Sequence, residues 1–247
     1  MSVPLVVLRP EPGLTATLIA AFERGLSARG MPLAVVEPRN WRAPSVAFAG
    51  ILIGSANAVR SAGPELAKVA HLPVLAVGEA SAQAAIAAGL EVEQVGEGSL
   101  QDLVNNLNSG PRHLLRLAGE THLHLDLPDN ITVTTRITYT VHYSAPTKAQ
   151  AALLREGSLV MLHSGEMARH FSQQCEALEI DKSSLTIAAL APRIAEMAGP
   201  GWSSVHIAPS RSDGALLDLA ARLCNSLPMG NEGARSGAAT MPENGSK

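Results

Sequence analysis

Two side chains that could act on a charged substrate stand at the ends of apolar strands. Arg9 follows the apolar run of residues 4–8 (PLVVL) and precedes Pro10, where its guanidinium would bind an anion or form a surface ion pair. Tyr139 ends the alternating run of residues 131–139 (ITVTTRITY). Its phenol could donate a proton or a hydrogen bond, or pack with its hydroxyl at the rim. Both alternatives stay open for both residues.

Small residues recur where an apolar strand passes into the next helix. They are Ser55, Gly78, Ser164 and Ala191. The carboxyl edge of a parallel sheet is the usual ligand site of an α/β fold, and helix N-termini there offer free N–H groups to carboxylates and phosphates. Alternatively, each serine simply caps its helix.

Other chemistry is sparse in this sequence. It has no GxGxxG at a strand–helix turn, no GxxxxGK[ST] and no GxSxG, which argues against a dinucleotide site, a P-loop and a nucleophile elbow. His122 and His124 have the spacing of metal ligands on one face of a strand, but no third ligand is evident. We therefore predict no metal site.

Composition excludes further classes of protein. The chain has 247 residues, a net charge of −3 and 3% aromatic residues, which argues against a nucleic-acid surface. Its two cysteines, Cys175 and Cys224, cannot form a disulfide framework. No apolar run approaches the roughly 18 residues of a membrane span, and we expect a cytoplasmic protein.

Short β-branched runs alternate with Ala- and Leu-rich stretches, a pattern typical of an α/β fold with parallel strands. We predict a first helix over residues 14–29 with Gly30 as its cap, and a second strand over residues 32–36. We also predict a helix capped by Ser144 and a disordered tail after Leu227.

An internal repeat accompanies this pattern. Residues 51–63 have the same order of features as residues 160–172, and residues 74–89 match residues 187–201. In each copy an apolar strand leads through a small residue into a helix. The repeat predicts two similar α/β sheets whose carboxyl edges could enclose a large anion.

Seven short segments stand in a recognisable order: LRP (8–10), GMPLAVVEP (30–38), ILIGSANAVR (51–60), VLAVGEASA (74–82), LLRLAGE (114–120), RITYTVHYS (136–144) and VMLHSGEMARHF (160–171). Together they resemble the uroporphyrinogen-III synthase family over residues 3–225. The sequence departs from the family at Gly54 (usually Thr), Ala118 (usually the Arg of "RGE") and Gly165 (usually Pro). Ala191 and Ile194 replace a Gly and a Thr, so several typical contacts are absent.

The resemblance implies two flavodoxin-like domains with parallel sheets, joined by a two-strand hinge linker. Segments 38–44 and 136–144 would be the two crossings. The implied division is domain 1 from residues 1–38 and 140–226, an inserted domain 2 from residues 39–139, and a tail over residues 227–247.

The resemblance also implies an activity. The substrate would be hydroxymethylbilane, a linear tetrapyrrole with eight carboxylates, and the product uroporphyrinogen III, with ring D inverted. No cofactor is implied. Tyr139 would assist loss of the hydroxyl group. The implied substrate-binding residues are Arg9, Ser55, Ala56, Gly78, Ser81, Gly119, Ser164, Gly165 and Ala191.

Further expectations concern partners. We expect a monomer, because the tail is polar and the sequence has no long heptad run, and composition predicts binding to neither nucleic acid nor membrane. The resemblance adds that hydroxymethylbilane synthase could hand over the substrate. The alternative function is a non-catalytic two-domain binding protein for an anionic tetrapyrrole or a similar polycarboxylate. A regulator carrying this domain is a weaker alternative, because no helix-turn-helix segment is visible.

Overall fold

A computed structural model describes residues 3–107 and 110–226, which form two β-sheets covered by helices. The strands are β1 (Leu5–Val7), β2 (Ala28–Gly30), β3 (Ala34–Pro38), β4 (Gly50–Ile53), β5 (Val74–Val77), β6 (Val92–Gly96), β7 (Arg112–Gly119), β8 (Ile131–Tyr143), β9 (Ser158–Leu162), β10 (Leu185–Ala189) and β11 (Ser204–Ile207). The helices are α1 (Gly13–Glu23), α2 (Ala56–Arg60), α3 (Glu79–Ala87), α4 (Leu100–Asn105), α5 (Lys148–Arg155), α6 (Gly165–Ala177), α7 (Pro192–Ala198) and α8 (Asp213–Ser226). Two 3-10 helices cover Gly63–Val69 and Lys182–Ser184.

The first sheet has five parallel strands in the order β2-β1-β9-β10-β11. Its central strands are buried along their whole length, as expected for strands covered on both faces. Helices α1 and α8 pack on one face, and α5, α6 and α7 pack on the other. This sheet therefore has a core on each side.

The second sheet has six strands in the order β3-β8-β7-β4-β5-β6. Strands β4 to β8 are mutually parallel, and β3 pairs antiparallel with the last part of β8. Helices α2 and α3 and the first 3-10 helix cover one face, and α4 covers the other. The mixed α/β fold with parallel sheets agrees with the expected fold class.

Both sheets contain the same spatial series of five parallel strands. Strands β9, β10 and β11 lie side by side in one sheet, as β4, β5 and β6 do in the other. Beyond β9 come β1 and β2, and beyond β4 come β7 and β8. Along the chain, the two flanking strands come before β9–β11 in the first sheet but after β4–β6 in the second sheet. The sequence repeat corresponds to these two sets of three strands, β4–β6 and β9–β11.

Strand β8 reaches from one sheet to the other. Its first part pairs with β7, and residues 139–143 pair with β3. Val141 packs against the core of the first sheet, and the Ser144 N–H donates to the Leu33 carbonyl. The β3–β8 ribbon therefore connects the sheets. Segment 38–44 follows this crossing, and its Trp41 indole donates to the Ala62 carbonyl over 2.7 Å.

Three local predictions differ from the structure. Helix α1 ends at Glu23, because Gly25 takes a positive φ of 72°, and Gly30 lies in β2 rather than capping a helix. The strand predicted over residues 32–36 overlaps β3 (Ala34–Pro38), which pairs in the second sheet. The second strand of the first sheet is instead Ala28–Gly30, whose largely exposed residues gave no strand signal. The cap of α5 is Thr147, which forms a reciprocal capping box with Gln150, and not Ser144.

Other expectations concern the ends of the chain and the membrane. The predicted disordered tail, residues 227–247, lies outside the described residues. Within residues 3–107 and 110–226, no helix combines the length and the apolar character needed to cross a membrane.

Candidate functional site

Every residue proposed from the sequence for catalysis or substrate binding lies at the carboxyl edge of one of the two sheets. In the first sheet, Arg9 follows β1, Ser164 and Gly165 follow β9, and Ala191 follows β10. Their parallel strands bring these residues to one edge. The second sheet gathers the others in the same way: Ser55, Ala56, Gly78, Ser81, Gly119 and Tyr139.

The two carboxyl edges approach each other. Arg211, between β11 and α8, donates from Nη1 to the Gly98 carbonyl over 2.7 Å and to the Glu97 carbonyl over 3.4 Å, both in the turn after β6. Arg60 at the end of α2 lies close enough to Arg9 for its positive charge to lower the pKa of Arg9, adding to the larger effect of burial. Arginines therefore lie at both edges and would attract an anionic ligand, while Glu79, Glu120 and Glu166 place carboxylates at the same edges.

Tyr139 is aimed by an irregularity in the sheet. Ile137 pairs with Ala118 and Tyr139 with Gly119, so β8 carries one extra residue, Thr138, as in a β-bulge. The Thr138 hydroxyl donates to the Ala58 carbonyl over 2.9 Å. Tyr139, half-buried, packs against the core beneath α2, on the same side of the sheet. The bulge thus turns the phenol toward the α2 side at the carboxyl edge.

Gly119 is required by the Tyr139 ring. A Cβ at position 119 would lie 2.7 Å from Cζ and 2.9 Å from Oη of Tyr139. Such a contact is far shorter than any van der Waals separation of carbon atoms. The glycine therefore permits the ring to lie directly on the end of β7.

A buried arginine, which the sequence analysis did not select, lies close to Tyr139. Arg116 on β7 is 7% exposed and donates from Nη1 to the Leu123 carbonyl over 2.8 Å. Burial lowers the pKa of Arg116, whereas its interaction with Tyr139 has a smaller, raising effect on that pKa. The sequence feature that could have identified Arg116 is its position as a single cation within the apolar run LLRLAG (114–119).

Arg9 is part of a hydrogen-bonded network that ties together four elements. Its Nη1 donates to the Thr17 hydroxyl over 2.9 Å and to Asp213 Oδ1 over 3.2 Å. The Thr17 hydroxyl donates to Asp213 Oδ2 over 2.8 Å, and His163 Nε2 lies 2.8 Å from Asp213 Oδ1. A Cβ at Gly13 would lie 2.5 Å from Arg9 Nε, so this glycine makes room for the guanidinium. Arg9 therefore forms an ion pair, which the sequence analysis gave as one of two alternatives beside anion binding.

Burial governs the charges in this network. Desolvation lowers the pKa of His163, whose side chain is only 8% exposed, so the imidazole is neutral. Burial raises the pKa of Asp213, but hydrogen bonds from His163 and Thr17 and the charge of Arg9 outweigh that effect, and the net pKa is lowered. Asp213 is therefore an acceptor, and the proton of His163 is on Nε2. Nδ1 of His163 is buried without a partner among the described residues.

The serines at the helix starts act as caps. Ser55 Oγ accepts from the Asn57 N–H, and Ser164 Oγ accepts from the Met167 N–H, each over 3.3 Å. Both hydroxyls accept from N–H groups of their own helices, in agreement with the alternative that each serine only caps its helix.

The remaining small residues have other local roles. The Gly78 N–H donates to the Gly96 carbonyl over 2.9 Å, and Gly78 has a positive φ of 75°. Ala191 precedes α7 without a side-chain cap, and Ser81 is 4% exposed within α3. Ala56 is the first residue of α2. These residues can offer a ligand only those backbone N–H groups that form no hydrogen bond within their own helix or turn.

Gly165 has a structural explanation. A Cβ at this position would lie 2.1 Å from the sulfur of Met197 on α7, so this thioether fills the space that a larger residue would need. Gly165, where the resembled family usually has proline, thus accompanies close packing of α7 on α6.

No metal centre is formed by the described residues. Residues 3–107 and 110–226 contain no group of three or more His, Cys, Asp or Glu side chains that could hold a metal ion. Residues 122–124 lie in an irregular segment instead of the predicted strand, and His122 Nδ1 lies 2.8 Å from the Gly119 carbonyl oxygen.

Comparisons with known proteins identify a matching family and solved structures with a similar fold. A family model described as uroporphyrinogen-III synthase HemD matches residues 21–218. A uroporphyrinogen-III synthetase from Helicobacter pylori superimposes with a TM-score of 0.58 at 16% identity, covering 89% of this chain and 99% of that chain. A mutant uroporphyrinogen III synthase from the extremely thermophilic bacterium Thermus thermophilus superimposes with a TM-score of 0.55 at 18% identity, covering 90% and 99%. No curated protein matches the sequence. At these identities the two superpositions establish similarity of fold.

Proposed function

The chain belongs to the uroporphyrinogen-III synthase family, whose model spans most of its length, and from this premise we propose how its residues perform the reaction. The enzyme is a lyase of haem biosynthesis that cyclises hydroxymethylbilane to uroporphyrinogen III with inversion of ring D. The family match over residues 21–218 is the observation that carries this function.

The chemistry requires control of conformation more than strong acid–base catalysis. Loss of the hydroxyl group as water leaves an electrophilic azafulvene. Ring D attacks it through a substituted carbon, and the resulting spiro intermediate fragments and recloses. Direct closure of the same azafulvene gives the type I isomer. The protein must therefore hold one conformation of the bilane and exclude another.

Tyr139 is the residue proposed to assist loss of the hydroxyl group. Its ring lies on Gly119 at the carboxyl edge of the second sheet. The phenol hydroxyl can donate to the departing oxygen as a hydrogen-bond donor or general acid.

The substrate carboxylates are proposed to bind along both carboxyl edges. Arg9 contributes guanidinium N–H groups that Thr17 and Asp213 leave unused, since its side chain is 25% exposed. Backbone N–H groups supply the rest. They belong to the segments that follow Ser55, Gly78, Gly119, Ser164 and Ala191, with Ala56, Ser81 and Gly165 within the same turns.

The proposed architecture is a pair of flavodoxin-like domains with a hinge in the β3–β8 ribbon. The order β2-β1-β9-β10-β11 corresponds to the 2-1-3-4-5 order of that fold, and the second sheet has the same spatial series permuted along the chain. Domain 1 would comprise residues 1–38 and 140–226, and domain 2 residues 39–139. A narrow two-strand connection would permit closure around the substrate.

Three cellular properties are proposed from the sequence and the family together. The enzyme would act in the cytoplasm as a monomer, and it would receive hydroxymethylbilane directly from hydroxymethylbilane synthase. Direct transfer would limit the spontaneous closure to the type I isomer.

A coupled assay tests the function. Porphobilinogen and hydroxymethylbilane synthase generate the bilane, the protein is added, and the oxidised porphyrin isomers are separated by chromatography. We expect the product to change from the type I to the type III isomer. Type I alone, from protein shown to be folded by circular dichroism, would contradict synthase activity and leave the non-catalytic binding protein as the explanation.

A further inference from the structure

Asp213 lies at the centre of the Arg9 network and is the residue on which its geometry depends. Oδ1 contacts Arg9 and His163, and Oδ2 accepts from Thr17. Both carboxylate oxygens are thus engaged by the first sheet's carboxyl edge and by α1. Asp213 itself is the first residue of α8, far away in the sequence.

The network restricts how Arg9 can move. An arginine side chain has several freely rotating bonds, and holding it in one orientation costs conformational entropy. Thr17 is fully buried, and the guanidinium also lies against Gly13. The carboxylate of Asp213 therefore draws the guanidinium into one position before any ligand arrives, which reduces the entropy lost on binding.

His163 in turn fixes Asp213. The imidazole is neutral and nearly buried, and it donates its Nε2 proton to Oδ1. Its position directly after β9 ties the carboxylate to the sheet edge. We propose that Asp213 and His163 are positioning residues that hold the Arg9 guanidinium ready for a substrate carboxylate. This inference rests on the proposed role of Arg9 in binding the bilane.

The same geometry links substrate binding to the proton affinity of His163. The charged groups that act on the imidazole are Asp213 on α8 and Arg9 after β1. Arg9 opposes protonation of His163, and a bound carboxylate would neutralise part of that positive charge. Ligand binding at Arg9 should therefore raise the proton affinity of His163, and protonation of His163 should in turn favour binding.

The kinetic test compares two aspartates on one helix. Asp213→Asn removes the carboxylate charge that holds Arg9. Asp218→Asn is the control: Asp218 Oδ1 lies 3.0 Å from Nε of Arg24, so this exposed ion pair also joins α8 to the end of α1. For hydroxymethylbilane we expect Asp213→Asn to raise KM about 10-fold with kcat within about twofold, as for loss of one charge-assisted contact. Asp218→Asn should leave both constants unchanged.

A second variant keeps the test decisive if Asp213→Asn fails to fold. Thr17→Val keeps the shape of a fully buried residue and removes its hydrogen bonds to Asp213 and Arg9. We expect KM to rise about threefold, in line with one neutral hydrogen bond. An unchanged KM in a folded variant of either kind, with only a lower melting temperature, would show that the network is structural and overturn the inference.

A spectroscopic test addresses His163 directly. The His163 imidazole is followed by NMR in the free protein and with uroporphyrin III, the oxidised product with eight carboxylates, and His163→Gln identifies its signals. We expect the ligand to raise the pKa of His163 in the wild type but not in Arg9→Ala. A pKa that uroporphyrin III leaves unchanged in the wild type would contradict the proposed coupling.

The outcomes separate this inference from the proposed function. A wild-type protein that forms no type III isomer contradicts the function. If the wild type is active but Arg9→Ala leaves KM unaltered, Arg9 is structural, and the positioning role of Asp213 fails with it. If Arg9→Ala raises KM and Asp213→Asn does not, only the positioning role fails.

Discussion

Among single residues, Tyr139 is the side chain whose chemistry is most directly testable. Tyr139→Phe removes the hydroxyl and keeps the ring that packs on Gly119. We expect turnover to fall about 10- to 100-fold, because general acid assistance to the departing hydroxyl is lost. The measurement is the initial rate of type III formation, with far-UV circular dichroism and melting temperature as checks of folding. An unaltered rate would exclude Tyr139 from the chemistry.

Gly119 tests the same site without removing any functional group. In Gly119→Ala the new Cβ would lie 2.7 Å from Tyr139 Cζ, so the ring must move. We expect turnover to fall about 10- to 100-fold, as when a reacting group is displaced by about 1 Å.

The matched control for this variant is Gly54→Ala. Gly54 lies at the same sheet edge, and its Cβ would meet Leu100 at 3.6 Å, an ordinary contact. Rates and melting temperatures of the two variants are compared side by side. Equal rates in Gly119→Ala and Gly54→Ala would mean that the position of the Tyr139 ring does not limit catalysis.

Sequence reasoning reached these residues unevenly. Arg9 and Tyr139 could be selected because each ends an apolar or alternating run, which marks the edge of a sheet. Asp213 and His163 could not, because their significance arises from contacts with Arg9 and with each other across 204 and 50 positions of the chain. A local pattern contains no information about such contacts.

At the scale of elements, the Arg9 network joins β1, β9, α1 and α8 and should make stability depend on pH. Burial lowers the pKa of His163 below its ordinary 6.5, so the unfolded chain binds this proton at a higher pH than the native protein. Asp213 also has a pKa below its ordinary 3.8 when folded. In both cases the unfolded state binds more protons in acid, so stability falls as the pH decreases.

The measurement is the free energy of unfolding in urea between about pH 8 and about pH 5, the range around the ordinary pKa of histidine. We expect a loss of stability that begins near pH 6.5 in the wild type. His163→Gln should reduce this slope, and His71→Gln, at an exposed position, should retain it. Equal slopes in all three proteins would assign the pH dependence to other groups.

Element boundaries show where sequence patterns suffice and where they do not. The buried strands β4, β9 and β10 lie where the apolar runs of the internal repeat predict strands, because continuous apolar runs are typical of parallel strands. Strand β2 was missed, because a three-residue edge strand is specified by its pairing with β1 and not by its own residues. The crossing by β3 was also missed, since only its register with β8 reveals which sheet it joins.

At the scale of the whole molecule, the two sheets are connected covalently by the β3–β8 ribbon and in space by Arg211. A thin connection permits relative movement, and a hydrogen bond across the opposite side restrains it. The exposed Arg211 makes this contact with backbone carbonyls of Glu97 and Gly98, which any sequence at those positions would offer. Neither partner could be identified from the sequence.

Arg211→Ala should therefore broaden the distribution of distances between the two sheets. Spin labels are placed on α1 and α3 at Phe22→Cys and Ile86→Cys, both exposed, in a Cys224→Ser background. Cys175 can remain, because burial raises the pKa of its thiol to about 12 and makes it unreactive.

Arg155→Ala is the matched control. This exposed arginine also donates to a backbone carbonyl, that of Leu178, but the contact lies within the helices of the first sheet. We expect double electron–electron resonance to report a wider distribution in Arg211→Ala and an unchanged one in Arg155→Ala. If the distributions coincide, the ribbon alone sets the spacing of the sheets, and the closure proposed around the bilane must originate in β3 and β8.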